Sequence, residues 1–107
     1  MPSILEIPVD SEDPSFKLRT TLEDIQLVLR FDWVIRIERW SMSIYDDAEE
    51  PILVGVTLNI NNELLERFEI AALPPGKMLL YDTSGRWKEC GRNDLGDRCK
   101  LYYEDSV

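Results

Sequence analysis

From Phe16 to Leu58 apolar and polar residues alternate, and the spacing never becomes helical. Phe16, Leu18 and Thr20 fall in one phase, and Lys17, Arg19 and Thr21 in the other. After Leu22-Glu23-Asp24 the alternation resumes with Ile25, Leu27, Leu29 and Phe31 against Gln26, Val28, Arg30 and Asp32. Trp40, Met42 and Ile44 follow against Ser41, Ser43 and Tyr45, and then Ile52, Val54, Val56 and Leu58 share a phase. A period of two marks strands with one buried face. Strand follows strand with only short polar breaks between them. That predicts an all-β fold, a small antiparallel meander forming a β-barrel or a sandwich.

The elements can be placed along the chain. Ile4 to Val9 reads as a first strand or arm, on an edge because Pro8 cannot donate to a ladder; residues 1–14 form this N-terminal piece. Phe16–Thr21 and Ile25–Phe31 read as a hairpin around Glu23-Asp24. Arg39–Tyr45 and Ile52–Asn59 are the next strands, separated by the acidic turn from Asp46 to Pro51. Asn61 to Phe68 carries the one helical signal: Asn can cap, Glu63 suits a helix N-terminus, and Leu64 and Phe68 share a face. One short helix closing an end of the barrel is therefore expected. Met78–Asp82 and Arg98–Tyr103 are the last strands, joined by a long polar loop over 83–97. The 107 residues suit a single domain with one core.

Charge narrows the partners. Twelve basic residues stand against 21 acidic ones, a net charge of -9, which disfavours direct binding to a phosphate backbone. The segment from Lys77 to Lys100 holds six of the basic residues and four acidic ones, so it is locally basic. Such polarity suits docking in one orientation. No run approaches the roughly 20 apolar residues of a membrane span, so no membrane partner is expected. The first residues lack a basic-then-apolar leader, and synthesis in the cytoplasm is expected.

Docking candidates come from residues out of place. The connection Trp33-Val34-Ile35-Arg36-Ile37-Glu38 should be a hairpin loop, yet it has no Gly, Pro or Asn and carries Trp33, Val34, Ile35 and Ile37. Either the strands run on into a tight turn, or the tip presents apolar side chains to a partner. Trp87 sits in the long loop beside Arg86, Lys88 and Arg92, and a loop of that length in a small domain is commonly functional. Cys90 and Cys99 leave two readings open. A cytoplasmic origin favours free thiols, while their separation permits a disulfide closing a short loop under oxidising conditions.

Reactive chemistry is sparse. Histidine is absent, which removes the commonest general base and transition-metal ligand. Two thiols without histidine do not make a zinc site. The run Gly91–Asp97 lacks the alternating ligands and terminal Glu of a calcium loop. No nucleophile elbow or phosphate loop occurs. No enzyme activity and no cofactor are expected.

The order of motifs is familiar. Leu18-Arg19-Thr20-Thr21-Leu22-Glu23, then Ile25 to Trp33, then Arg39-Trp40-Ser41-Met42-Ser43-Ile44-Tyr45-Asp46 resembles the opening of the cyanophage-type baseplate plug proteins of contractile-tailed bacteriophages. Leu73-Pro74-Pro75-Gly76, Tyr81-Asp82 and Asp94 to Tyr103 continue in family order, so the resemblance covers residues 16 to 103. Asp24 stands where that pattern has a turn glycine, and the 34–38 and 47–50 turns also lack the family's glycine or asparagine. The resemblance implies a structural virion protein of the tail baseplate that helps close the channel at the junction of hub and tail tube until injection. It also implies hub and tail-tube proteins as partners, in a symmetric multimer. The competing expectation is a soluble acidic module that inhibits a nucleic-acid enzyme by mimicry, which requires an ordered carboxylate array.

Overall fold

The structure, a computed structural model, describes residues 4–60, 63–65, 73–86 and 88–104. Seven strands follow in order: β1 (Ile4–Ile7), β2 (Ser15–Leu22), β3 (Ile25–Val34), β4 (Arg39–Asp46), β5 (Pro51–Thr57), β6 (Lys77–Asp82) and β7 (Cys99–Glu104). They form two antiparallel sheets, a four-stranded meander β2-β3-β4-β5 and a three-stranded sheet β1-β7-β6. The all-β expectation holds, and of its two forms the sandwich is the one adopted. The ladder does not close into a barrel, because β7 pairs with β1 and β6 and, among the described residues, no strand joins the two sheets.

The alternation of the sequence becomes the two faces of the meander. Leu27, Leu29 and Phe31 of β3 and Trp40, Met42 and Ile44 of β4 are buried on the inner face. They meet Ile7, Met78, Leu80, Leu101 and Tyr103 of the other sheet in one continuous cluster. Each large apolar side chain so buried contributes about 1.5–3 kcal/mol. Phe16 stacks on Phe31 at 5.0 Å and meets the edge of Trp40 at 5.8 Å, extending the core to the β2 edge.

One phase changes within β5. Val54 was expected to share the inward face of Ile52 and Val56, yet it is 63% exposed. The register jumps from Met42 opposite Val56 to Ile44 opposite Leu53. Two residues, Val54 and Gly55, therefore oppose Ser43, and Gly55 takes a φ of 80° with its amide donating to the Ser43 hydroxyl at 3.2 Å. This is a bulge, and it turns Val54 outward.

The three meander turns do without glycine. Glu23 and Asp24 alone join β2 to β3, at φ 50° and 66°, the mirror-image turn whose twist matches a two-residue hairpin. Glu38 (φ 51°) and Glu49 (φ 61°) take the same left-handed region in the next two turns. Asp46 organises the last of these, its carboxylate accepting from the amides of Ala48 and Glu50, both at 2.9 Å.

No helix occurs among the described residues. Of the helix expected over Asn61–Phe68, only 63–65 are described, and there Glu63 bridges to Leu79 and Leu64 and Leu65 lie in a turn. The remainder of that segment lies outside the described residues. β1 is an edge strand that ends before Pro8, as a residue without an amide hydrogen requires.

Candidate docking surfaces

The β3–β4 hairpin combines the strand extension of the first sequence reading with an exposed apolar tip. The strands run on, with Trp33 opposite Trp40 and Val34 opposite Arg39. The indole rings of Trp33 and Trp40 meet edge to face at 5.7 Å, and the Trp33 amide donates to the Pro14 carbonyl at 2.8 Å. Above this base, residues 35–38 form the tip. Ile35 is 80% exposed and Ile37 50%. The amides of Ile37 and Glu38 donate to the Val34 and Ile35 carbonyls, both at 3.3 Å, so the tip is a hydrogen-bonded turn. Arg39 donates to the Glu38 carbonyl at 2.9 Å. The Arg36 side chain is exposed and makes no ion pair among the described residues.

The loop between β6 and β7 is pinned at several points. Asp82, at the end of β6, accepts from the Ser84 hydroxyl at 2.6 Å, the Ser84 amide at 2.9 Å and the Lys88 amide at 3.1 Å. Arg98 lies 2.6 Å from the same carboxylate. These contacts, the Ser84 hydroxyl foremost, hold the Asp82 carboxyl at about 2, well below its ordinary 3.8, against the opposing effect of burial. Arg98 also donates to Asp94 at 3.0 Å and to the carbonyls of Lys88 at 2.9 Å and Glu89 at 2.8 Å. Its bond to Asp94 leads the effects that raise the guanidinium pKa, and the same bond lowers that of Asp94.

Cys90 and Cys99 are joined in a disulfide, both sulfurs within the core, across a sequence separation of 9. Of the two states open from the sequence, the structure contains the bonded one. The next residue is held as well: Trp40 donates its indole N–H to the Gly91 carbonyl at 3.2 Å. Arg92 places its guanidinium 5.5 Å from the Trp40 ring centre and donates to the Ser11 carbonyl. Arg92 thus clamps the loop and the N-terminal segment together. Arg86 and Lys88 differ from it: both are exposed, and neither side chain makes an ion pair among the described residues. Trp87 lies outside the described residues.

Several acidic residues are matched by the chain's own cations. Lys17 meets Glu49 at 2.7 Å, Arg19 meets Asp47 at 3.1 Å, and Arg30 meets Asp32 at 3.2 Å across the outer face of the meander. Lys17, first through its hydrogen bond, lowers the pKa of Glu49. A carboxylate array ordered to imitate nucleic acid would not neutralise itself in this way. The Lys17–Glu49 bridge also covers Val28, which is buried although it lies on the outer phase of β3.

A further surface was not apparent from the alternation. On the outer face of the three-stranded sheet Ile4, Leu79, Tyr81, Tyr102 and Glu104 line an open groove of about 360 Å³. Its signal in the sequence was the unbroken run Met78-Leu79-Leu80-Tyr81 beside Leu101-Tyr102-Tyr103, apolar in both phases. Among the described residues no three His, Cys, Asp or Glu side chains form a metal-binding group, and no helix is long and apolar enough to cross a membrane.

These features define a class: a small β-sandwich whose internal polar contacts pin its loops and whose exposed apolar side chains gather at a hairpin tip and an outer groove. Its surfaces suit assembly with other proteins. Residues 4–106 match the family model described as cyanophage baseplate Pam3 plug gp18, and the chain belongs to that family. It is a structural, non-enzymatic component of the phage baseplate. No curated protein matches the chain significantly.

Proposed function

We propose that this chain closes the channel where the baseplate hub meets the tail tube, and that it is held there by hub and tube proteins until injection. The observation that carries the docking mode is the β3–β4 tip, where Ile35 is 80% exposed on a turn whose base is packed by Trp33 and Trp40. A firmly based hairpin presenting two isoleucines loses little conformational freedom when it docks, which favours binding. Trp33 and Val34 support the tip from below, and Ile35 and Ile37 make the contact. Arg86 and Lys88, with Trp87 between them in sequence, form a second docking point for an acidic neighbour. Arg92 serves this point indirectly by fixing the loop. The net charge of -9 suits the position, because an acidic plug is repelled by DNA in the channel and is retained by protein contacts alone.

The test is a density map of assembled baseplates together with mass spectrometry of the purified particles. A fixed copy number at the hub–tube junction, with the 35–37 tip against a neighbouring protein, is the expected result. Absence of the chain from particles, or a tip facing open solvent, refutes the proposal. Arg86→Glu with Lys88→Glu is expected to reduce incorporation while leaving the isolated protein folded. Unchanged incorporation rejects the second docking point.

A further inference from the structure

The tip and the groove have complementary chemistry. The tip offers two exposed isoleucines flanking Arg36, whose guanidinium has no ion-pair partner among the described residues. The groove offers Ile4, Leu79, Tyr81 and Tyr102, with Glu104 at one end. Glu104 is likewise without an ion-pair partner among the described residues, whereas Glu6 on the same face lies 3.9 Å from Lys100. Lys77 sits opposite Glu104 across the ladder, so the end of the groove carries one positive and one negative group. The tip carries the same pair in Arg36 and Glu38.

One molecule does not fill its own groove. The tip projects from the four-stranded sheet at the end opposite the Glu23–Asp24 turn, and the groove opens on the outer face of the other sheet. The Glu23 end is the end that meets β7, through the bond between Glu23 and Tyr103.

We propose that the occupant of the groove is the β3–β4 tip of a second copy of this chain, with Ile35 and Ile37 seated among Tyr81, Tyr102 and Ile4, and Arg36 facing Glu104. This names the neighbour met by the tip in the docking mode above as another copy, leaving the second docking point around Arg86 and Lys88 to the hub and tube proteins, and it rests on that reading. The contact is heterologous, because each copy gives a tip and receives one. Such contacts propagate from copy to copy and close into a ring where the rotation permits. A tip of four residues buries less surface than a stable isolated complex requires. The free chain therefore associates weakly, and the surrounding baseplate supplies the effective concentration that completes the assembly.

The test uses the full chain with two outward-facing variants, a tip variant (Ile35→Asp with Ile37→Asp) and a groove variant (Ile4→Lys with Tyr81→Lys). Circular dichroism and thermal melting establish that each remains folded. In sedimentation equilibrium at protein concentrations up to the millimolar range, the wild type is expected to form species larger than a dimer. Each variant alone is expected to be monomeric. Their mixture is expected to form a complex that stops at two chains, because one intact tip and one intact groove remain between them. In a second measurement, Arg36→Glu weakens association about tenfold, and adding Glu104→Arg in the same chain restores it.

A wild type that stays monomeric at millimolar concentration overturns the proposal. So does association that survives either variant, or a mixture that fails to pair. Where a variant does not fold, the charge exchange at positions 36 and 104 decides alone, and failure of the double exchange to restore association overturns the contact. These results bear only on contact between copies, and the position in the baseplate is decided separately by the density map.

Discussion

Removing the Cys90–Cys99 bond tests what holds the long loop. The bond spans a sequence separation of 9, and a crosslink closing so short a loop restricts the unfolded chain by about 2.5 kcal/mol in the chain-entropy account. For a domain of this size that is about 10 °C in Tm. The native loop should survive the loss. Arg98 still ties Asp82 and Asp94 to the carbonyls of Lys88 and Glu89, and Trp40 still holds Gly91. The double variant Cys90→Ala with Cys99→Ala is therefore expected to keep its far-ultraviolet spectrum and melt cooperatively about 10 °C lower.

Because both sulfurs are buried, truncation also leaves a small cavity. The clean comparison is wild type refolded with and without reductant, which differ in the bond alone. The assays are differential scanning calorimetry and thiol titration of protein denatured without reductant. Two titratable thiols in oxidised protein, or oxidised and reduced forms melting within about 2 °C of each other, refute the reasoning. Loss of the β-sheet spectrum in the double variant instead shows that the side-chain clamps cannot hold the loop unaided.

Two further perturbations address the turns and the buried carboxylate. Asp24→Gly should raise stability by about 0.5–1 kcal/mol, since Asp24 is exposed at φ 66° where an L-residue is strained and glycine is not; urea unfolding measures it, and a destabilised variant rejects the left-handed turn. Asp82 has a folded pKa of about 2 against an ordinary 3.8, so its stabilising effect is complete above the unfolded value and lost as pH falls through the folded one. Stability should accordingly be flat near neutrality and decline between about pH 4 and 2, and Asp82→Asn should flatten part of that decline in pH-jump unfolding; an unchanged acid profile removes Asp82 from the network.

The strands were legible because one force placed them. Burial of one face imposes a period of two, and Leu27, Leu29, Phe31, Trp40, Met42 and Ile44 display it without interruption. Val54 broke the pattern because a bulge is set by a local register shift at Gly55, which alternation cannot show. The choice of sandwich over barrel depended on β7 pairing with β1 across nearly the whole chain, and no local pattern encodes a partner so distant. The tip was legible because Ile35 and Ile37 violate the polarity of a turn. The groove was hidden because its apolar residues Leu79, Tyr81 and Tyr102 share their face with Lys77, Lys100 and Glu104, and only the pairing of β6 with β7 brings them side by side. The network around Arg98 was hidden for another reason: an arginine among many charged residues has no sequence mark that distinguishes a buried clamp from a solvated side chain.

In the docking mode proposed above, the internal contacts serve stability and the exposed residues serve assembly. Arg92, Arg98, Asp46 and Asp82 spend their hydrogen bonds on backbone groups of loops, fixing segments that a chain with only five glycines would otherwise have to shape by backbone freedom. Ile35, Ile37 and Tyr81 lie outside the core and stabilise it little, being 50% exposed or more. Set on firmly held elements, they suit the proposed docking, because a contact gains from side chains that are ordered beforehand. Substitutions at the loop clamps should therefore lower Tm first and assembly only as a consequence, whereas substitutions at the tip should lower assembly with Tm unchanged.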